Sequence, residues 1–138
     1  IDGIKFFFID PLTALVSRYD SSEANNILNE VSTDIADLVY KYPITLMCFS
    51  HLNPKSKGAK PHEMGARVLT SEFTGSRGME RYFHYAWGLR RDRSPECPVE
   101  EQDISYVDLL FDREFGNSGT ARLFYDKDTV NYLEVGGH

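Results

Sequence analysis

The chain has 138 residues, of which 41% are hydrophobic and 26% charged, with a formal net charge of −6. That is enough chain to bury a core and a composition ordinary for a globular protein. It holds no apolar run near 18 residues and no signal-peptide pattern, and its overall acidity disfavours a protein that coats nucleic acid, so it reads as a cytoplasmic protein with no membrane partner. The acidity is uneven. From Lys55 to Arg93 nine basic residues face four acidic ones, a local charge of about +5 that allows a phosphate-binding surface; the plainer alternative is a solvated loop. Cys48 and Cys97 lie far apart and read as two free thiols.

Ile4 to Ile9 is a short apolar run rich in aromatic and β-branched residues, which predicts a buried strand stopped by Pro11. Ser21 or Ser22 is placed to cap a helix running to Lys41, whose Ile27, Leu28, Val31, Ile35, Leu38 and Val39 share one face. Pro43 ends it, and Ile44 to Ser50 predicts a second buried strand. Strand, helix and strand at this spacing make a βαβ unit, which requires parallel strands and an α/β fold. Asn53 to Ser71 is a long loop rich in Lys, Gly, Pro and Ser, of the kind that is functional or mobile. A short helix is expected over Ser76 to Phe83, and strands over Tyr85 to Arg90, Ile104 to Asp112, Thr120 to Tyr125 and Val130 to Glu134. The turns between the last three, at Glu114 to Gly119 and Asp126 to Asp128, make that region antiparallel.

Four places could carry chemistry. Asp10 stands at the carboxyl end of the first strand, where α/β folds place ligands and where a Walker B Asp holds nucleotide-bound Mg²⁺; the alternative is a simple Asp-Pro turn. The second strand also ends in a polar group, His51, able to hydrogen-bond a terminal phosphate on the same rim. Glu72-Phe73-Thr74-Gly75-Ser76-Arg77-Gly78 offers glycines and hydroxyls ahead of a short helix, suited to a nucleic-acid phosphate. Arg113 precedes a tight turn containing Gly116 and Gly119. It could serve as a finger on a neighbouring subunit's nucleotide, or pair with Asp112 or Glu114. His51, His62, His84, Cys48 and Cys97 show no zinc-ligand spacing.

No G-x-x-x-x-G-K-[ST] phosphate loop occurs in the 138 residues. Either the first strand is not a Walker B element, or the chain is the later part of a nucleotide-hydrolysing domain.

The order of these segments is more specific than any one of them. Phe6-Phe7-Phe8-Ile9-Asp10, Cys48-Phe49-Ser50-His51-Leu52-Asn53-Pro54, Gly75-Ser76, Leu89-Arg90-Arg91, Arg113 with Gly116 and Gly119, and Phe124-Tyr125-Asp126-Lys127 follow one another along nearly the whole chain. This resembles the later part of the RecA-like motor domain of DnaB-family replicative helicases, most closely the helicase half of phage primase-helicases. The resemblance implies a partial RecA-like core with C-terminal antiparallel strands, in which residues 1–92 run from Walker B through sensor and channel loop, and residues 93–138 form a hairpin region. It implies a hexameric ring on single-stranded DNA, driven by ATP or dTTP with Mg²⁺, with a primase linked or separate. Asp10 would be the Walker B ligand, His51 the sensor and Arg113 the trans-acting finger. Arg91 and Tyr125 would flank the nucleotide base. Leu12 to Asn26 resembles the first channel loop and Val68 to Arg77 the second, best matched at Gly75 and Ser76; with the basic stretch, this offers Arg67, Thr74, Gly75, Ser76 and Arg77 to DNA. Phe111 stands where the family often has a Lys, and the family's catalytic Glu lies upstream of the matched segment. A different RecA-like ATPase, of recombinase or clock type, and a non-catalytic nucleic-acid-binding or assembly module are the alternatives.

Overall fold

The computed structural model describes Gly3 and residues 5–136, apart from the side chain of Ser76. The order of elements is β1 (Phe6–Ile9), a 3-10 turn (Leu12–Val16), α1 (Ser21–Lys41), β2 (Thr45–Cys48), a 3-10 turn (Thr70–Glu72), α2 (Ser76–Tyr82), β3 (Tyr85–Arg90), a 3-10 turn (Val99–Glu101), β4 (Ile104–Asp112), β5 (Gly119–Asp126) and β6 (Asn131–Glu134). The Cα packing separates two compact units. One is Ile1–Asn53 with Ser71–Phe83; the other is Pro54–Thr70 with His84–His138.

In the first unit β1 and β2 are parallel, with Phe6 opposite Thr45 and Ile9 opposite Cys48, and α1 is the crossover between them. The expected βαβ unit is therefore present. The cap of α1 differs from the expectation. Asp20, not Ser21 or Ser22, stands at the N-cap, and its carboxylate accepts from the N–H groups of Ser22 and Glu23 at 2.9 and 3.0 Å. An ionised carboxylate at a helix N-terminus satisfies two otherwise orphaned donors and complements the helix dipole, which a hydroxyl one position later could not do. The buried stripe of α1 is Ala24, Leu28, Ser32 and Ile35, flanked by Ile27 and Val31, whereas Leu38 is exposed. Ser32 is tolerated there because its hydroxyl donates back to the Leu28 carbonyl at 2.7 Å. Leu28 and Leu12 are fully buried, each stabilising the unit by about 1.5–3 kcal/mol.

Both strands alternate exposed and half-buried along their length. Ile9, Leu46 and Cys48 pack on the α1 core, while Phe6 and Phe8 on the other face are each 67% exposed, beside Met47 and Phe49. The reading of both strands as buried thus holds for one face only. An apolar run promises burial on two faces, and the described residues cover one. Ile4, expected to open β1, lies outside the described residues.

The second unit is a four-stranded antiparallel sheet in the order β3-β4-β5-β6. Ile104 pairs with Phe124 and Asp126 with Asn131, as the turn-rich sequence predicts, and β3 joins this sheet through Tyr85 opposite Asp112, with a bulge at Ala86/Trp87. The long segment 54–70 is not a free loop. Ala66 and Val68 are buried, and Val68 Cβ would stand 2.7 Å from a Cβ on Gly88, so the β3 backbone approaches it more closely than any other residue would allow. Met64 also bridges to Asp92. The one fully buried carboxylate among the described residues, Asp108, accepts from Arg90 Nε at 2.8 Å and from the Thr120 hydroxyl at 2.6 Å. Both cysteines are free, and burial pushes both thiols up. No helix among the described residues is long and apolar enough to cross a membrane.

Candidate nucleotide and nucleic-acid sites

The sheet of the first unit ends in two polar residues on one edge. Asp10 follows β1 and is exposed; His51 follows β2 by three residues. The connection is tied by backbone bonds from Phe49 N–H to Ile9 C=O at 2.8 Å and from Leu12 N–H to Phe49 C=O at 2.7 Å. Leu12 and Val16 then plunge into the core, so the start of the expected first channel loop is a packed 3-10 turn, and its end, from Ser21, is already α1. Thr13 Oγ1 lies 3.1 Å from His51 Nδ1. When that hydroxyl donates, the ring proton sits on Nε2, which can then donate to a phosphate oxygen. Thr13 was not legible as a partner; only the fold brings it across 38 residues.

Beyond His51 the chain pairs with the segment ahead of α2. Leu52 bridges antiparallel to Phe73, and Asn53 N–H donates to the Glu72 carbonyl at 2.7 Å. The Thr74 hydroxyl donates to Asn53 Oδ1 at 3.2 Å, and both it and the Thr74 N–H reach the His51 carbonyl at 3.4 Å, long bonds that contribute less than the pairing beside them. His51, Thr74 and Gly75 are therefore mechanically joined. Arg77 is exposed, in the first turn of α2. Arg67 belongs to the other unit, where its carbonyl accepts from Lys55 Nζ at 2.7 Å, so the expected segment Val68 to Arg77 is divided between the two units.

Gly75 has a structural duty besides any contact with DNA. Its φ is +77°, and a Cβ there would stand 2.7 Å from Leu28 Cβ. Gly75→Ala combines left-handed strain of about 1–2 kcal/mol with core overpacking of about 1–3 kcal/mol. We expect its thermal unfolding midpoint, followed by far-ultraviolet circular dichroism, to fall by about 6 °C or more; an unchanged midpoint would show that Leu28 yields freely.

In the second unit Arg91 and Tyr125 meet around Asp103. Arg91 donates to the Gln102 carbonyl at 2.9 and 2.6 Å and to Asp103 Oδ1 at 2.9 Å, and Tyr125 N–H donates to the Asp103 carbonyl at 2.8 Å. Lys127 takes the other carboxylate oxygen at 2.6 Å, and the Tyr125 ring lies against Tyr132 at 5.1 Å. Arg91 is thus clamped, and Tyr125 has a fixed ring.

Arg113 begins the β4–β5 turn. Asp112 accepts from the N–H groups of Glu114 and Phe115 and from the Asn117 amide, each at 2.9 Å. Those donors, the Phe115 N–H foremost, hold its carboxyl below the usual range. Glu114 instead takes the Tyr85 hydroxyl at 2.7 Å, which pushes that phenol up to about 12. Arg113 N–H donates to the His84 carbonyl at 2.9 Å, while its exposed guanidinium lies 5.8 Å from the Phe111 ring centre. Among the described residues no carboxylate pairs with it. The alternative of a turn ion pair with Asp112 or Glu114 is therefore not what this turn does.

No three His, Cys, Asp or Glu side chains among the described residues cluster tightly enough to hold a metal ion. Asp10 alone fits Mg²⁺ only in the manner of a one-carboxylate ligand to an ion otherwise held by nucleotide phosphates and water.

No protein-family model matches the chain, and no curated protein does. A solved structure does. It is the ATPase domain of a DnaB-family helicase, and it superposes with a TM-score of 0.73 at 19% identity, over 99% of this chain and 46% of that one. The fold is RecA-like. The chain spans just under half the length of that neighbour, and the likeness at this identity is one of fold. Within the RecA-like fold, β1-α1-β2 supplies the parallel layer and β3 to β6 the antiparallel extension.

Proposed function

We propose that the chain is the later part of the motor domain of a DnaB-family replicative helicase, an NTP-driven hexameric ring that moves on single-stranded DNA and unwinds duplex. The observation that carries this reading is the tie between His51 at the strand end and Thr74-Gly75, through the Leu52–Phe73 bridge and the Asn53–Glu72 bond. A motor needs the group that senses a terminal phosphate to be connected to the group that grips the track, and these two segments are bonded neighbours. The RecA-like fold supports the reading, as does the bare apolar face of Phe6, Phe8 and Met47, since parallel sheets are covered on both faces.

In this reading Asp10 holds the Mg²⁺ of ATP or dTTP, and the ion supplies charge neutralisation at the phosphates. His51 Nε2 donates to the terminal phosphate. Arg113 reaches a neighbouring subunit's nucleotide, and Arg91 and Tyr125 border the base. Thr74, Gly75, Ser76 and Arg77, with Arg67 nearby in sequence, meet DNA chiefly through backbone phosphates, so binding is insensitive to sequence. The ring works in the cytoplasm, of a bacterial host if phage-encoded, with a primase linked or separate.

The purified 138-residue chain should release phosphate from ATP or dTTP no faster than buffer, because it holds no phosphate loop; measurable turnover would sink the assignment of roles. The full-length protein should unwind a forked duplex when given ATP or dTTP. Strand exchange without unwinding would favour a recombinase-type ATPase. Absence of a G-x-x-x-x-G-K-[ST] in the encoded sequence upstream of Ile1 would favour a binding module.

A further inference from the structure

Three asparagines fall within five positions of α1: Asn25, Asn26 and Asn29. Asn is a poor residue for a helix interior, and nothing in the packing of α1 requires three of them. They line one side of a cavity of about 320 Å³; Asn53, Phe73 and Arg77 line the other, with Gly75 between. Every one of these residues belongs to the first unit.

The chemistry of the wall is consistent. Asn25 and Asn29 lie four residues apart, and Asn26 and Asn29 three, so all can turn toward one space. Asn25 and Asn26 are exposed, and their amides have no hydrogen-bond partner among the described residues. Asn29 Oδ1 is buried with no hydrogen-bond partner, packed where a Cβ on Gly78 would stand 2.8 Å away. Reversing that amide forfeits no bond, so Asn29 can present either its donor or its acceptor. Phe73 adds an aromatic surface and Arg77 a cation. Amides that give and take hydrogen bonds, an aromatic wall and one cation match an unstacked nucleobase carrying its phosphate, and the volume lies at the lower end of ligand sites, about 300 Å³.

We propose that this cavity takes one base of single-stranded DNA, with Asn25, Asn26 and Asn29 on the base edge and Arg77 on the adjoining phosphate. The proposal rests on the single-stranded-DNA reading above and adds to it a contact with a base, where that reading has phosphates alone. It places the base beside Thr74 and Gly75, the segment bonded to His51 and Asn53.

The experiment is a fluorescence-anisotropy titration of the 138-residue chain with a labelled dT oligonucleotide and with an abasic sugar-phosphate strand of the same length. We expect the dT strand to bind about tenfold tighter, within the range for one well-seated base. Asn25→Ala and Asn26→Ala, both at exposed positions that the fold does not depend on, should shrink that preference toward parity. Arg77→Ala should weaken both strands by the same factor. Equal binding of dT and abasic strands by the unsubstituted chain would overturn the base site while leaving the DNA reading intact. A preference that survives both asparagine substitutions would also overturn it. Binding of neither strand would overturn the site and the DNA reading together. Displacement of the dT strand by dTMP or ATP at the affinity of the strand itself would overturn it too, reassigning the cavity to a free nucleotide.

Discussion

Asp108→Ala should be the most destabilising single substitution in the antiparallel unit, costing about 3 kcal/mol or more. The carboxylate is fully buried and its partner Arg90 is only 22% exposed, so removing Asp108 leaves a guanidinium short of both partner and water. Thr120 also loses its acceptor, although Arg90 keeps its stacking over the Tyr106 ring at 4.1 Å. The Glu101–Arg122 pair is the contrast. Its side chains are 36% and 37% exposed, and Glu101→Gln should cost under about 1 kcal/mol despite a shorter contact of 2.7 Å. Urea unfolding followed by Trp87, the single tryptophan, which stacks on Tyr85 within this sheet, reads the unit directly. At a slope of about 1–3 kcal/mol/M, Asp108→Ala should lower the midpoint by about 1–3 M. Equal small shifts for both variants would show that burial of the pair contributes nothing beyond its surface counterpart.

The same group gives the unit an acid limit. Burial pushes the Asp108 carboxyl up, but Arg90 and Thr120 outweigh it and hold the carboxyl below its ordinary value. A depressed folded-state value means that the stabilisation is complete above the unfolded value of about 3.9 and drains away as pH falls through the folded one. Asp112 and Asp126 are lowered in the same direction by hydrogen bonds from their own turns. The Trp87 transition should therefore be flat near neutral pH and collapse below about pH 4. Asp108→Asn should start from a lower plateau and fall less steeply, because one depressed carboxylate is gone.

How much of this was legible in the chain depended on distance along it. The parallel βαβ unit, the α2 helix and the β4–β5–β6 meander are all local patterns of periodicity and turn residues, and they stand where those patterns put them. The cap of α1 falls one residue earlier than expected because Asp20 and Ser21 are both good caps, and only backbone geometry decides between them. Segment 54–70 reads as loose because Lys, Gly and Pro hide two buried residues, Ala66 and Val68, and Val68 owes its burial to the distant Gly88. The candidate site divides the same way. Asp10, His51 and Arg113 announce themselves by ending strands or opening turns. Thr13 on His51, Asp103 between Arg91 and Tyr125, and the asparagine-lined cavity come from contacts across many residues, and a single sequence carries no trace of those pairings. The run of three asparagines was the one visible signal, and its meaning needed Asn53 and Arg77 beside it.

Arg113→Ala in the full-length protein should reduce NTP hydrolysis by about a thousandfold or more while sparing nucleotide affinity. The structure gives the physical grounds. A finger must be charged, unpaired in its own subunit and carried on a stiff support. Asp112 fixes the turn with three hydrogen bonds, Arg113 N–H is anchored to His84, and Glu114, the nearest competitor, is spent on Tyr85. The guanidinium is left exposed against Phe111, a ring that supports it without neutralising it. Action on a neighbouring subunit makes a demand that a structural role does not. Asp10→Ala subunits lack the Mg²⁺ ligand but keep the finger; Arg113→Ala subunits lack the finger but keep the ligand. Mixed rings contain interfaces where an intact Arg113 faces an intact Asp10, so mixtures should hydrolyse NTP although neither variant does alone. Recovery should peak near equal proportions. If no mixture recovers activity while the two variants are shown to co-assemble, Arg113 acts within its own subunit or not at all. Tyr85→Phe separates these further: it frees Glu114 to approach Arg113, and a fall in hydrolysis without loss of nucleotide binding would show that the Tyr85 hydroxyl keeps the finger available.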